Sequence, residues 1–192
     1  TTTTTTTTTT MTMMTATSQQ EPTTTRELFG GAMTAALPVR YVDVSDFRPV
    51  PDNQEVWTDA NRDESVIVEI LERVDAASDA DSAAWFFRDL ADVNDASVAS
   101  GASELLDVRA LTPADLPAFN GPFAAATVAW GRQRVSKHRD GDDARNLVEV
   151  FVVNVRLPEC GTDLLVTLNR PLAIAPGSTV VAQTGVFGEL GG

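Results

Sequence analysis

Residues 43 to 56 read Asp43-Val44-Ser45-Asp46-Phe47-Arg48-Pro49-Val50-Pro51-Asp52-Asn53-Gln54-Glu55-Val56. Pro49 and Pro51 remove two backbone donors and push the residues before them toward extended conformations, so a helix is excluded here. The Asp, Ser and Asn side chains favour local turns, because they hydrogen-bond to nearby backbone groups. The stretch therefore predicts an ordered surface loop that leads into a strand near residues 54 to 58.

This loop places four acids on a short length of constrained backbone: Asp43, Asp46, Asp52 and Glu55. Acids held on a stiff loop suit the recognition of a basic partner, although an ordinary solvated loop would have the same composition. An unpaired carboxylate is costly to bury. We therefore expect Asp52 and Glu55 to lie at the surface, where a turn or a surface ion pair contributes about 1 kcal/mol or less.

The composition of the whole chain narrows the class of partner. The chain has 192 residues and a net charge of −13, and this charge argues against nucleic acid and against anionic membrane surfaces. It contains no apolar run of the length that spans a bilayer. Its single cysteine, Cys160, excludes an intrachain disulfide. The sequence predicts a monomeric protein that binds a basic protein partner, with no nucleic-acid or membrane partner.

Residues 1 to 27 are dominated by threonine and methionine, and their only charges are Glu21, Arg26 and Glu27. Such a segment offers little apolar surface to offset the entropy of ordering the chain. We predict a disordered tail over residues 1 to 27 and a single domain over residues 28 to 192. An organelle transit peptide is the alternative for the tail, but such peptides are usually rich in arginine.

The domain alternates strand patterns with one helical pattern. Strands are predicted at residues 30–37, 54–58, 66–71, 104–111, 123–135, 147–157 and 163–169. The third of these is apolar on both faces, so it is expected to be central and covered on both sides. Short turns between strands, including the Asp140-Gly141 hairpin signal, predict a mostly antiparallel sheet. The expected fold is α/β of the α+β kind, with one central sheet of about six strands covered by a helix.

The helical pattern begins after Ser78, which is predicted to be its N-cap. Apolar residues then recur at helical spacing and form a stripe: Ala80, Ala83, Ala84, Phe87, Leu90 and Ala91. Trp85 and Phe86 lie beside this stripe and widen it. Phe87 and Val68, on the predicted central strand, are expected to be core residues. A second, shorter helical start is predicted at Thr112-Pro113-Ala114-Asp115.

Few residues offer catalytic chemistry. His138 is the only histidine and is expected at a hairpin tip, while Cys160 lies in a turn of its own. Neither a nucleophile with its base nor a set of metal ligands is suggested, and Asp140, Asp142 and Asp143 lack the rest of a calcium loop. We therefore predict a binding protein that is not an enzyme and has no cofactor. A small-molecule enzyme stays open as an alternative.

The sequence from Asp43 to Val56 resembles the signature of the Mog family, the Ran guanine-nucleotide release factors of nuclear transport. Its most specific part is Val50-Pro51-Asp52-Asn53-Gln54-Glu55-Val56. Further blocks agree in order, so the resemblance covers residues 28 to 171: Leu28-Phe29-Gly30-Gly31-Ala32, Leu37-Pro38, Ser65 to Glu72, Trp130-Gly131-Arg132-Gln133, Arg156-Leu157-Pro158 and Thr162 to Pro171.

The resemblance implies a fold shared with PsbP-like photosystem proteins and a role in nuclear import, hence a location in nucleus and cytoplasm. It implies that Asp52 and Glu55 contact the small GTPase Ran, and the rest of the expected contact set lies on the same loop: Asn53, Gln54, Asp46, Arg48 and Asp43. An acidic adaptor without nucleotide-release activity is the alternative on this fold. The family usually closes with an amphipathic helix. Residues 172–192 carry no such stripe, so this end is expected to diverge.

Overall fold

The computed structural model describes residues 21–136 and 145–175. Their helix, α1, spans Ser82–Val93. Their strands, in chain order, are β1 Thr23–Leu28, β2 Met33–Pro38, β3 Val42–Asp43, β4 Gln54–Asp59, β5 Glu64–Glu72, β6 Ser103–Ala110, β7 Ala125–Ser136, β8 Arg145–Leu157 and β9 Thr162–Ala173. The strands predicted at residues 54–58 and 66–71 are confirmed as β4 and β5.

The main sheet has the strand order β3-β4-β5-β9-β8-β7-β6, and β1 and β2 form a separate two-stranded hairpin. Every neighbouring pair is antiparallel, which confirms the predicted class of sheet. Within the described residues the main sheet has seven strands, where about six were expected. Strand β9, the last in the described residues, lies in the middle and joins a β3-β4-β5 half to a β8-β7-β6 half.

Helix α1 covers one face of the sheet. Phe87 is fully buried and packs with residues of β7, β8 and β9 such as Ala129, Val150 and Leu165. The prediction that Phe87 lies in the core is therefore confirmed. The helix begins at Ser82, four residues after the predicted cap. Ser78 instead fixes the turn before the helix, because its hydroxyl accepts the Asp81 N–H at 3.2 Å and bonds the Asp81 carboxylate at 2.8 Å.

The β1-β2 hairpin covers part of the opposite face. Leu28 of β1 and Leu37 of β2 are buried against Trp57, Val68 and Leu164 of the sheet. The prediction of a disordered tail up to residue 27 is therefore wrong for residues 21 to 27. The threonines of β1 are β-branched and favour strands, and pairing with β2 supplies their backbone partners. Residues 1 to 20 of the predicted tail lie outside the described residues.

Strand β5 lies between β4 and β9 and has apolar contacts on both faces, as predicted for the third strand. Val68 is 5% exposed and belongs to the cluster beneath the hairpin. Leu71, on the other face, packs against the cluster beneath α1. Ile67 joins a third, smaller cluster with Val44 and Val56. This third cluster anchors the acidic loop to the sheet.

Gly131 of β7 lies in close contact with both α1 and the neighbouring strand β6. A Cβ atom at this position would stand 2.2 Å from the Glu104 carbonyl oxygen and 2.7 Å from Cζ of Phe87. Its neighbour Gln133 is fully buried and donates a hydrogen bond to the Phe87 carbonyl at 3.2 Å. The block Trp130-Gly131-Arg132-Gln133 thus contains two residues, Gly131 and Gln133, that position the helix on the sheet.

Arg156 of β8 ties the connection between β5 and α1 to the sheet. Its side chain is 1% exposed and its guanidinium donates to the carbonyls of Val74 and Ala77 at 2.8 and 2.9 Å. It also pairs with Asp79 at 2.8 Å and with the fully buried Asp163 at 3.4 Å. A buried guanidinium with several partners holds its neighbours in one geometry, since breaking such a set is costly.

Two further predictions differ from the structure, and others lie outside the described residues. The segment from Thr112 to Asp115 forms a turn and not a helical start. The Asp115 N–H donates to the Thr112 carbonyl at 2.9 Å and closes the turn. The first predicted strand begins at Met33 instead of residue 30, after a 3-10 turn over Phe29–Gly31. His138 and the Asp140-Gly141 hairpin turn lie outside the described residues, as do residues 176–192.

Candidate partner-binding surface

The acidic loop, residues 43 to 53, is fixed at its start by a short 3-10 turn over Val44–Asp46. Val44 is fully buried against Val56 and Ile67. Asp43 caps the turn by accepting the Ser45 N–H at 2.8 Å. The Val44 carbonyl then accepts two N–H groups, from Phe47 at 3.0 Å and from Arg48 at 3.1 Å. The loop is therefore ordered by its own sequence, as predicted.

The end of the loop is tied to β5. Asn53 exchanges hydrogen bonds with Ile70, because its carbonyl accepts the Ile70 N–H at 2.9 Å and its side-chain amide donates to the Ile70 carbonyl at 3.4 Å. The Gln54 N–H donates to the Pro51 carbonyl at 2.9 Å. These bonds hold Asp52 between two fixed points while its side chain stays exposed.

The side chain of Gln54 points to a buried acid. Its amide donates to Glu69 at 2.8 Å, and Glu69 is only 5% exposed. Burial raises the pKa of Glu69, and the hydrogen bond from Gln54 opposes this rise. Gln54 therefore has a structural role, whereas the sequence suggested only a contact residue.

Glu55 is half-buried, and its carboxylate accepts the backbone N–H of Phe29. It lies on the same sheet face as Asp43, since Asp43 pairs with Trp57 and Glu55 is two residues before Trp57. The expectation that Glu55 has at most a turn or surface-pair role is therefore wrong. The carboxylate is needed to satisfy a backbone donor contributed by a distant segment.

That distant segment is the tip of the β1-β2 hairpin, Phe29–Gly31. Its three residues have positive φ values of 52°, 64° and 90°. A bulky residue such as Phe29 rarely adopts this conformation, and strain of this kind tends to occur at functional sites. Sequence reasoning did not place the tip beside the acidic loop. The only signal was the Gly30-Gly31 pair, which allows a tight bend.

The predicted contact residues thus separate into two groups. Asp46, Asp52 and Asn53 are exposed on the loop. The others are half-buried and serve the local structure: Asp43, Arg48, Gln54 and Glu55. The exposed group can meet a partner directly, while the half-buried group positions it.

Two acids of the neighbouring strands β4 and β5 are already paired. Arg40 bonds Asp59 at 2.8 Å and also forms an ion pair with Glu64. Burial acts to raise the pKa of Asp59, but the hydrogen bonds from Arg40 and from the Asn61 N–H, together with the charges of Arg40 and Arg62, outweigh it and hold that pKa below its usual range. Among the four acids of the loop and the start of β4, Asp46 and Asp52 are the two whose side chains are exposed.

The described parts of the chain offer neither a metal site nor a membrane-spanning helix. Residues 21–136 and 145–175 contain no cluster of three or more side chains that could hold a metal ion. No helix in these two ranges is long and apolar enough to cross a membrane. A cavity of about 210 Å³ lies beside β6 and β7, with Glu104, Arg132 and Arg134 in its lining. Its lining is mostly polar, unlike the apolar pocket usual for a small molecule.

Comparison with known sequences gives a consistent set of relatives. The sequence profile of a family described as Ran-interacting Mog1 protein matches residues 26–171. The chain is 36% identical over 157 residues to the probable ran guanine nucleotide release factor of Dictyostelium discoideum, covering 82% of this chain and 78% of that protein. It is 38% identical over 146 residues to the human Ran guanine nucleotide release factor, covering 75% and 74% of the two chains.

A fungal relative and a solved structure agree. The chain is 32% identical over 148 residues to the nuclear import protein mog1 of Schizosaccharomyces pombe, covering 76% of each chain. The crystal structure of the Saccharomyces cerevisiae Ran-binding protein Mog1p superposes with a TM-score of 0.62 at 25% identity, over 80% of this chain and 79% of that one. Sequence and fold therefore point to the same relatives.

Proposed function

The chain belongs to the family of Ran-interacting Mog1 proteins, and we propose that it binds the small GTPase Ran and promotes the release of guanine nucleotide from it. The proposal is supported by the names of relatives that share over a third of their matched residues with this chain. Since related proteins are named for nuclear import, we place this activity in nuclear protein transport, with the protein in nucleus and cytoplasm.

The acidic loop is the surface that we propose for the contact with Ran. Asp46 and Asp52 are exposed on a backbone that Val44, Asn53 and two prolines hold in place. Fixed charges lose little conformational freedom on binding, which favours affinity. They also steer a basic partner toward the loop and exclude acidic competitors.

Nucleotide release follows from linkage between two binding equilibria. A GTPase holds its nucleotide through Mg²⁺, a lysine and backbone donors of its phosphate loop. A protein that binds the nucleotide-free form more tightly must weaken nucleotide binding by the same factor. We propose that this chain acts in this way, as a regulatory protein whose own residues carry out no bond-making step.

A nucleotide-release assay on Ran loaded with a fluorescent guanine nucleotide tests the proposal. The wild-type chain should accelerate release. The double change Asp46→Lys with Asp52→Lys should lower Ran affinity by roughly 2 to 5 kcal/mol, as measured for close interfacial charge pairs, and should abolish release. Its thermal midpoint should stay close to the wild-type value, because both side chains are exposed.

The matched control reverses two exposed acids elsewhere, Asp92→Lys with Asp107→Lys. This control changes the net charge by the same amount, so it isolates position from overall charge. Asp79 is unsuitable as a control because it pairs with the buried Arg156. Equal loss of affinity in both double variants would assign the effect to net charge and remove the loop from the site. Binding without accelerated release would favour the acidic adaptor.

A further inference from the structure

Phe47 is an aromatic side chain in solvent at the centre of the acidic loop. It is 67% exposed, more than any other large hydrophobic residue in the described part of the chain. The other aromatic residues in the two described ranges are buried or half-buried. Single exposed apolar residues are common on protein surfaces, so exposure alone decides nothing. A functional role is indicated by the way in which the loop backbone holds the Phe47 side chain in solvent.

The local structure forces Phe47 outward. Val44 is fully buried, and the 3-10 turn that starts there ends at Phe47, whose N–H bonds the Val44 carbonyl at 3.0 Å. The next N–H, from Arg48, bonds the same carbonyl at 3.1 Å. Val50 then packs back onto the cluster of Val44, Val56 and Ile67. The chain is thus anchored on both sides of Phe47, which leaves a large apolar side chain in solvent on a fixed backbone.

Charge surrounds this side chain along the loop. Asp46 precedes Phe47 directly, Asp43 lies four residues before it and Asp52 five residues after it. An aromatic anchor within a ring of polar groups is the usual form of an interface hot spot. The negative face of a phenyl ring also attracts an arginine or lysine placed over it. The chemistry that fits this arrangement is an apolar socket bordered by basic side chains.

We infer that Phe47 is the apolar anchor of the contact with Ran and occupies an apolar socket bordered by lysine or arginine residues on that protein. The inference rests on the proposed function, because it takes Ran as the partner. It adds a residue whose contribution is hydrophobic to a surface so far defined by charge. The acids then set the approach and orientation, and Phe47 provides the buried centre.

The test measures the affinity of Ran for Phe47→Ala and for Val98→Ala. Val98 is 54% exposed in the segment between α1 and β6, so its variant controls for loss of exposed apolar surface. Phe47→Ala should weaken binding by roughly 30-fold or more, the range of a hot-spot residue, with its thermal midpoint unchanged. Phe47→Leu should retain part of the affinity, and Val98→Ala should bind like the wild type.

The dependence of binding on salt distinguishes the contribution of Phe47 from that of the acids. The penalty of Phe47→Ala should be similar at low and at high salt, whereas that of Asp52→Asn should shrink as salt screens the charges. If the wild type binds Ran and Phe47→Ala binds within twofold of it, the anchor is overturned and the proposed function stands. If the wild type does not bind Ran, the proposed function fails and the anchor fails with it.

Discussion

The carboxylate of Glu55 carries a charge and can accept hydrogen bonds, and in the folded protein it acts as an acceptor. It receives the N–H of Phe29, whose positive φ makes the hairpin tip a strained turn. A substitution at Glu55 can therefore disturb the hairpin tip as well as remove a charge. Any loss of partner binding at this position has two possible causes that must be separated.

Two substitutions at Glu55 separate them. Glu55→Ala leaves a partly buried N–H without its acceptor, so we expect the free energy of unfolding to fall by about 1 to 3 kcal/mol. Glu55→Gln keeps an acceptor oxygen and should retain most of the stability. Urea denaturation of both variants measures the difference. Equal stability of the two variants would show that the bond to Phe29 contributes nothing.

A second residue-scale prediction concerns Glu69, whose pKa is raised above 4.5 chiefly by burial. Between the ordinary and the raised pKa the folded state keeps a proton that the unfolded state has released. Stability therefore falls as the pH rises through this window. Above the window the folded protein carries the full cost of a buried carboxylate.

Glu69→Gln removes this cost and keeps an acceptor for Gln54. We expect the variant to be more stable than the wild type at neutral pH, with the advantage disappearing at pH values well below 4.5, where both forms are uncharged. Thermal unfolding across this pH range provides the measurement. An advantage that did not change with pH would mean that packing, and not ionisation, separates the two proteins.

Local chemistry made part of the surface predictable. The prolines and the turn-forming residues of the acidic loop act over a few residues, so its order and the exposure of Asp46 and Asp52 could be foreseen. The partner of Glu55 could not, because Phe29 is 26 residues away along the chain. The same holds for Gln54, whose buried partner Glu69 is 15 residues away on the next strand.

At the scale of elements, the contact between α1 and β7 depends on Gly131. We expect Gly131→Ala to lower the free energy of unfolding by roughly 1 to 3 kcal/mol, as overpacking does, because the added carbon meets the Glu104 backbone as well as Phe87. Gly121→Ala is the matched control, since its added carbon meets only the Phe119 side chain, at 3.3 Å. Urea denaturation should show a much smaller loss for the control, and equal losses would contradict the argument.

The β1-β2 hairpin shows where element prediction failed. Low-complexity composition suggested disorder for residues 21 to 27, yet Thr23–Leu28 pairs with β2 residue by residue. Threonine favours a strand only when a partner strand is available, and no local pattern reveals that partner. Helix α1 was predictable because its apolar stripe lies within one continuous segment.

At the scale of the whole molecule, the β1-β2 hairpin covers part of one sheet face, so its removal should lower the free energy of unfolding. Deleting residues 1 to 28 removes β1 and the buried Leu28, so we expect a loss of about 2 to 5 kcal/mol or more, the range for one large buried side chain. Deleting residues 1 to 20 should leave the unfolding midpoint nearly unchanged. A midpoint that fell equally in both deletions would contradict this division of the N-terminal segment.

The antiparallel class of the sheet followed from strands joined by short turns, but the strand order did not. Pairing of β5 with β9 joins Ser65 to Asn169, and no local signal predicts a contact between residues so far apart. The count of seven strands was also missed, since Val42–Asp43 is too short to produce a pattern.

The central place of β9 has a consequence for synthesis on the ribosome. The half-sheet that carries the acidic loop joins the other half through residues 162 to 173, which are translated after the other strands of the described residues. Until they emerge, β5 and β8 each present an open edge, and such edges invite pairing with other nascent chains. A chain released before residue 162 would therefore lack the strand that joins the two half-sheets, and the complete sheet can form only after residue 173 has left the ribosome.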